Sequence, residues 1–427
     1  MGRTMEGVND HKAQNHLGLR FGTNYFLYFA IFGIISPYLQ IMLRKLGYSP
    51  SQVGFFLGLM EFVGIFGPMA SARRADSSSR FKPGLYLSGG LLIAGLCLLV
   101  TIKTPIVTAC AICLISLGIK TPTSILDAAL LRAASGSNKP LDYGAVRSSG
   151  SVGFIVVTLI AQFIPGFNES PPAVMASWTV LFTLLFLLSL TIMPEASPSS
   201  KLSARSKPTS TSNQAAPSNS GTIALSQSGK SFKKNFNKNL KWIDSTFIVG
   251  LVVILLGRIA IAAVGSFFSL YLTEDLHWDA IGALWAVSSI AEVPLMIYAR
   301  RFIKKHSPMQ GVAIASGALV VRLLIYAVFP TKAGAVIGQA LHSLCYGLFL
   351  PSAIAFINLK TPPEHRTTGM ALFNGIGMGL PTLLGSIIGG NLIELFGYRQ
   401  MFASFSLFAV ASLVIYFIYK KKLIDVK

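Results

Sequence analysis

The sequence predicts an all-α membrane protein, with twelve transmembrane helices arranged as two six-helix halves. Three observations carry this. Hydrophobic residues make up 52% of the 427-residue chain and charged residues only 12%, about half the charged share of a soluble domain. The apolar residues form long blocks of ~20, the length that crosses ~30 Å of hydrocarbon at ~1.5 Å per residue. A polar stretch rich in Ser, Thr, Asn, Pro and Lys, 194–243, leaves six such blocks on either side.

In order, the blocks lie near 19–43, 51–72, 82–102, 105–132, 142–164 and 173–193, then 244–273, 277–301, 308–330, 333–360, 366–395 and 397–419. The first ~17 residues are polar and lack a short apolar core with a small-residue cleavage site, so the first helix itself is expected to direct insertion. Residues 1–193 and 244–427 form the two halves. The stretch between them is too polar to bury apolar surface and is expected to be a disordered linker.

The net charge of +20 is a topology signal. With the N-terminus taken as cytoplasmic, the termini and the even-numbered loops hold 27 of the 36 Lys and Arg. The odd-numbered loops hold five (Arg44, Lys45, Lys103, Lys332, Arg399), and four lie inside spans. This positive-inside bias places both termini in the cytoplasm of a cell (plasma or inner) membrane protein and speaks against nucleic-acid binding. Lys233, Lys234, Lys238 and Lys241 add attraction to anionic lipid.

The halves echo one another. Ala70-Ser71-Ala72-Arg73-Arg74 ends the first helix pair and Ile297-Tyr298-Ala299-Arg300-Arg301 the corresponding pair. Gly144 and Gly150 recur at the spacing of Gly369 and Gly375, and Pro122 parallels Pro351. Internal repetition of six-helix units suits a carrier that rocks about a central site. Gly150, Gly153, Gly377, Gly385 and their neighbours suit close helix packing equally well.

Catalytic chemistry finds little support. The six histidines, His11, His16, His277, His306, His342 and His365, are scattered. Cys110 and Cys113 form a C-x-x-C, but inside an apolar run without acidic or histidine neighbours, where cysteine acts as a small hydrophobe. No nucleotide-binding G-x-x-x-x-G-K-[ST] loop occurs. No enzyme, metal site or cofactor is expected.

Charged residues within spans are the functional candidates. A mid-membrane charge costs roughly 2.5–3.5 kcal/mol, so seven unpaired ones would cost on the order of 20 kcal/mol. That exceeds the stability of a typical fold. The seven are Lys120, Arg147, Arg258, Arg322, Glu61, Asp127 and Glu292, and pairing or hydration is required of them. Asp127 and Arg147 share a depth near the cytoplasmic boundary and form the best pair, read as either a structural gate or a substrate or proton site. Lys120 stands seven residues before Asp127 on the same helix face, ~10 Å away, and is read as a substrate contact. Glu61, Glu292 and His342 are candidates for proton coupling or gating. Arg258 is a candidate substrate contact, and Arg322 a structural partner. Asn24, Tyr25, Tyr28 and Phe29 form an aromatic stripe, read as packing or as a wall of the substrate cavity.

The stretch from Pro122 to Phe154 contains Pro-x-x-x-x-Asp-Ala, then Leu-Asp-Tyr-Gly-x-Val-Arg and Gly-Ser-x-Gly-Phe. It resembles the phenylpropionic acid transporters, a branch of the major facilitator superfamily related to the lactose permease. Leu341-His342 followed by Tyr346-Gly347-Leu348-Phe349 resembles that branch's helix 10 signature. The resemblance implies a substrate cavity lined by helices 1, 4, 7 and 10, and the Asp127–Arg147 pairing. There are departures. The superfamily motif between helices 2 and 3 keeps only an Asp among basic residues, a cytoplasmic latch of Arg73, Asp76 and Arg80. The Glu that follows the helix 10 His in the lactose permease is here Cys345.

The expected function is secondary transport by a monomer: proton symport of a small organic anion such as an aromatic carboxylate. The alternatives are a neutral sugar or nucleoside as substrate, or a non-transporting sensor on the same fold.

Overall fold

The computed structural model describes residues 2–68, 81–135, 143–194 and 242–424. Among these residues the chain is helical and has no strand. Ten segments are long and apolar enough to cross a membrane. One of them, Thr368–Ile418, has 51 residues, roughly 75 Å of helix and far too long for one crossing. It breaks at Gly397, whose φ of +84° and ψ of 175° are open to glycine but not to a side-chain-bearing residue. The helix Ile281–Lys305 is apolar over Ile281–Glu292. The spans therefore number twelve, as the sequence predicts.

We label them α1 (Gly2–Lys45), α2 (Pro50–Gly64), α3 (Lys82–Thr101), α4 (Pro105–Ser135), α5 (Tyr143–Phe163) and α6 (Pro172–Ser189). After the linker come α7 (Ser245–Asp275), α8 (Ile281–Lys305), α9 (Pro308–Val328) and α10 (Lys332–Lys360). The two arms of Thr368–Ile418, before and after Gly397, are α11 and α12. Local chemistry explains several starts. Ser49 and Gln52 form a capping box at α2, as do Ser307 and Gln310 at α9. Asp244 accepts from the Phe247 amide at 2.6 Å to open α7. The linker residues 195–241 and the latch candidates Arg73, Asp76 and Arg80 lie outside the described residues.

Small residues set the packing. A Cβ on Gly153 of α5 would collide with the Phe26 carbonyl of α1, so those helices touch backbone to backbone. In the second half hydroxyls tie helices together. Ser266 of α7 meets Ser386 of α11 at 2.7 Å. Ser412 of α12 donates to the Val253 carbonyl of α7 at 2.9 Å. Without a hydrophobic drive between helices in lipid, close packing and such bonds do this work.

The halves meet chiefly where α2 packs on α11 and α5 on α8, and α1 also touches α7 and α8. Every hydrogen bond between the halves among the described residues lies on one face, that of the odd-numbered loops. Arg44 Nε and Nη2 reach Glu274 at 2.7 and 3.3 Å. Ser49 Oγ and the Ser51 amide donate to Glu394 at 2.7 and 3.0 Å, and Ser51 Oγ to Asn391 at 3.0 Å. Gln162 and Asn168 donate to the Asp279 carbonyl at 2.8 and 3.0 Å, while Gln162 also accepts from the Ala283 amide at 3.2 Å. The bundle is laced shut at this end.

Candidate functional site

Three charge clusters form inside the bundle. The first surrounds Asp127 on α4. Tyr25 of α1 donates to its Oδ1 at 2.5 Å, and Tyr143 at the start of α5 donates to the same oxygen at 3.1 Å. Arg147 Nε stands 3.8 Å from that oxygen. The guanidinium lies over the Phe29 ring at 4.3 Å and the Tyr25 ring at 5.4 Å. The expected Asp127–Arg147 pair is thus present but loose, with two phenols as the carboxylate's nearer partners.

The second cluster joins α2 and α4. Lys120 Nζ meets Glu61 Oε1 at 2.6 Å, with both side chains about a quarter exposed. Lys120, expected to await a substrate, already has a carboxylate. Ser116, one turn earlier, donates to the Met60 carbonyl at 2.5 Å and fixes the register of the two helices.

The third cluster belongs to the second half. Arg322 of α9 is buried, 1% exposed. It donates to Tyr326 Oη at 3.1 Å, to Gln339 Oε1 and to His342 Nδ1 at 3.0 Å. A guanidinium only donates, so His342 accepts through Nδ1 and carries its ring proton on Nε2. The His342 ring stacks on Tyr346 at 5.6 Å. On the same Tyr346, Arg258 of α7 places its guanidinium 5.3 Å from the ring centroid. Arg258 Nε is buried with no hydrogen-bond partner, and no carboxylate among the described residues lies within ion-pair distance of this side chain. Glu292 of α8 packs its Cγ 3.4 Å from where a Cβ of Gly347 would stand. The half-buried Glu292 carboxyl has no hydrogen bond or ion pair among the described residues.

The aromatic stripe of α1 divides. Tyr25 faces Asp127. Tyr28 is buried and spends its hydroxyl on the Ile119 carbonyl at 2.5 Å and Thr123 Oγ1 at 2.6 Å. Asn24, fully buried, donates to the Arg20 carbonyl at 2.7 Å and accepts from Ser189 of α6 at 3.0 Å. Both are engaged by neighbouring helices. Tyr143 and Tyr346 escaped the reading of site residues although both sit inside the quoted motifs. Gln339 carried no signal beyond lying three residues before His342.

Twelve apolar spans, charges gathered within the bundle and one laced face define an integral membrane transporter of the major facilitator type, which implies a small-molecule solute. The chain belongs to the MFS_1-like family, whose family model matches residues 19–404. It is 24% identical over 386 residues to the uncharacterised transporter YwbF of Bacillus subtilis, covering 89% of this chain and 87% of the relative. It is 23% identical over 381 residues to the probable 3-phenylpropionic acid transporter of Escherichia coli, covering 88% and 90%. The maltose permease of Geobacillus stearothermophilus is 22% identical over 412 residues, with 93% of each chain covered. Among solved structures, the nucleoside transporter NupG superposes with a TM-score of 0.75 at 18% identity, covering 95% of this chain and 98% of that one.

Proposed function

We propose that the protein is a monomeric proton-coupled symporter of a small organic anion, an aromatic monocarboxylate, with both termini in the cytoplasm. The observation that carries this is Arg258. The other three intramembrane cations have partners: Lys120 has Glu61, Arg147 has Asp127, and Arg322 has an acceptor network. Arg258 alone among them lacks one within the described residues, and it lies beside an aromatic face. A guanidinium next to a tyrosine ring suits a carboxylate on an aromatic body, because the fork binds the carboxylate while the ring receives the apolar part. Glu292, with no countercharge among the described residues, is the proton carrier in this reading. When protonated it adds no negative charge to a site that admits an anion. With the termini inside, the laced face is the extracellular one, and it is closed. The phenylpropionic acid relative supports the same substrate class.

A neutral sugar or nucleoside is the second reading. It is favoured by Glu61–Lys120 and Asp127–Arg147 each being internally neutralised, and by the maltose and nucleoside relatives. Proteoliposome uptake driven by an imposed pH gradient separates the two. Aryl carboxylates are expected to accumulate. Arg258→Ala is expected to raise KM about tenfold to a hundredfold, the worth of a charge-assisted hydrogen bond. Glu292→Gln is expected to abolish the response to the gradient while leaving solute exchange. Proton-driven uptake of a neutral sugar, without competition from aryl carboxylates and indifferent to Arg258→Ala, overturns the proposal.

A further inference from the structure

The start of α8 has an unusual cap. Its Ala280 N-cap has no side-chain hydrogen bond to offer, and the first amides of a helix need outside acceptors. The Ala283 amide finds one on Gln162, which belongs to α5 in the other half. The same Gln162 amide group donates to the Asp279 carbonyl, and Asn168 donates there too. Close approach is enforced nearby, since a Cβ on Gly282 would strike the Thr158 carbonyl of α5. The helix is thus capped across the very interface that a rocking transporter has to separate.

Asp279 stands two residues before Ile281 and is exposed. Aspartate is among the best N-cap residues. Its carboxylate nevertheless makes no hydrogen bond or ion pair among the described residues; only its carbonyl is used. Ala280 has φ −88° and ψ 32°. Rotating that ψ by roughly 70° would make it helical and put Asp279 in the N-cap position, within reach of the Ile281 and Gly282 amides. Two residues earlier, His277 holds φ at +46°, the only positive φ at a non-glycine among the described residues. Such a residue holds strain that a rearrangement can release.

We propose that α8 exchanges caps during the transport cycle. Gln162 caps it in trans while the face is closed, and Asp279 caps it in cis once the halves part there. Gln162 then stabilises the closed state and the Asp279 carboxylate the open one. The device is independent of which solute is carried.

The two side chains, on opposite sides of the seam, should shift the conformational equilibrium in opposite directions. The test uses full-length protein in liposomes with spin labels at Lys103→Cys, in the loop before α4, and Ala333→Cys, at the start of α10, exposed positions on the odd-loop face of opposite halves. Cys97, Cys110, Cys113 and Cys345 are replaced by alanine. Pulsed dipolar spectroscopy reads the ratio of long to short distances. Gln162→Ala is expected to raise that ratio about fivefold and Asp279→Ala to lower it about fivefold, the usual effect of an N-cap. Asp279→Asn keeps a capping oxygen without the charge and is expected to match wild type. It also controls for the weak attraction between Asp279 and Lys45. Shifts of the same sign, no shift, or an Asp279→Asn variant that behaves like Asp279→Ala overturns the proposal.

Discussion

Removing Lys120 tests whether it serves Glu61 or the substrate. At 2.6 Å the pair's attraction is about 1.6 kcal/mol at a dielectric constant of ~80 and about 6 kcal/mol at ~20. Side-chain exposures of 26% and 29% put the site between those limits. Lys120→Ala leaves Glu61 charged within the membrane, and so does the mirror case of Lys120 in Glu61→Ala. Each single variant is expected to lose about 2–3 kcal/mol, toward the low end for a broken buried pair because water reaches this one. The double variant removes both charges and should return to within about 1 kcal/mol of wild type. The assay is a double-mutant cycle on thermal unfolding in detergent, run beside uptake in proteoliposomes. A purely structural pair predicts that the double variant recovers much of the uptake lost in Lys120→Ala. Stability losses that simply add in the double variant, or a double variant as inactive as Lys120→Ala despite recovered stability, refute the reasoning.

Asp127→Asn or Arg147→Ala is expected to abolish uptake while the protein still reaches the membrane, and Tyr25→Phe to cost about 1.5–3 kcal/mol of substrate affinity or stability, since its 2.5 Å bond ends on a carboxylate. Swapping the charges, Asp127→Arg with Arg147→Asp, should restore insertion better than uptake, because a loose pair can be reversed but the two phenol donors cannot; wild-type uptake in any single variant contradicts this. Deleting about residues 205–230 should leave uptake near normal, because that polar composition serves only to connect the halves; lost transport at normal expression contradicts it.

Much of the fold was legible because the bilayer imposes a length rule. Ten of the predicted blocks lie close to one helix each, and the last two, 366–395 and 397–419, match the two arms of the long helix that breaks at Gly397. The pairing of Asp127 with Arg147 was legible for a similar reason, since the motif places both near one boundary. Lys120 was read as a substrate contact, and its pairing with Glu61 was not legible. Its partner Glu61 lies 59 residues away on another helix, and spacing along one helix says nothing about its rotation against the next. The roles of Tyr143 and Tyr346 were hidden for the same cause. A tyrosine in an apolar run reads as packing until the facing carboxylate or guanidinium is known.

The class of protein, the number of spans, their positive-inside bias and the short list of charges that a membrane does not tolerate alone were all readable from the order of residues. These are local properties: the length of an apolar run, the identity of a loop, the cost of one ion. Packing in three dimensions set which charges neutralise one another and which face is closed. Among the described residues it left Arg258 and Glu292 without an ion-pair partner and put Gln162 on a helix end belonging to the other half. Pairing depends on helix rotation, tilt and the approach of segments hundreds of residues apart, and those are settled by packing across the whole bundle.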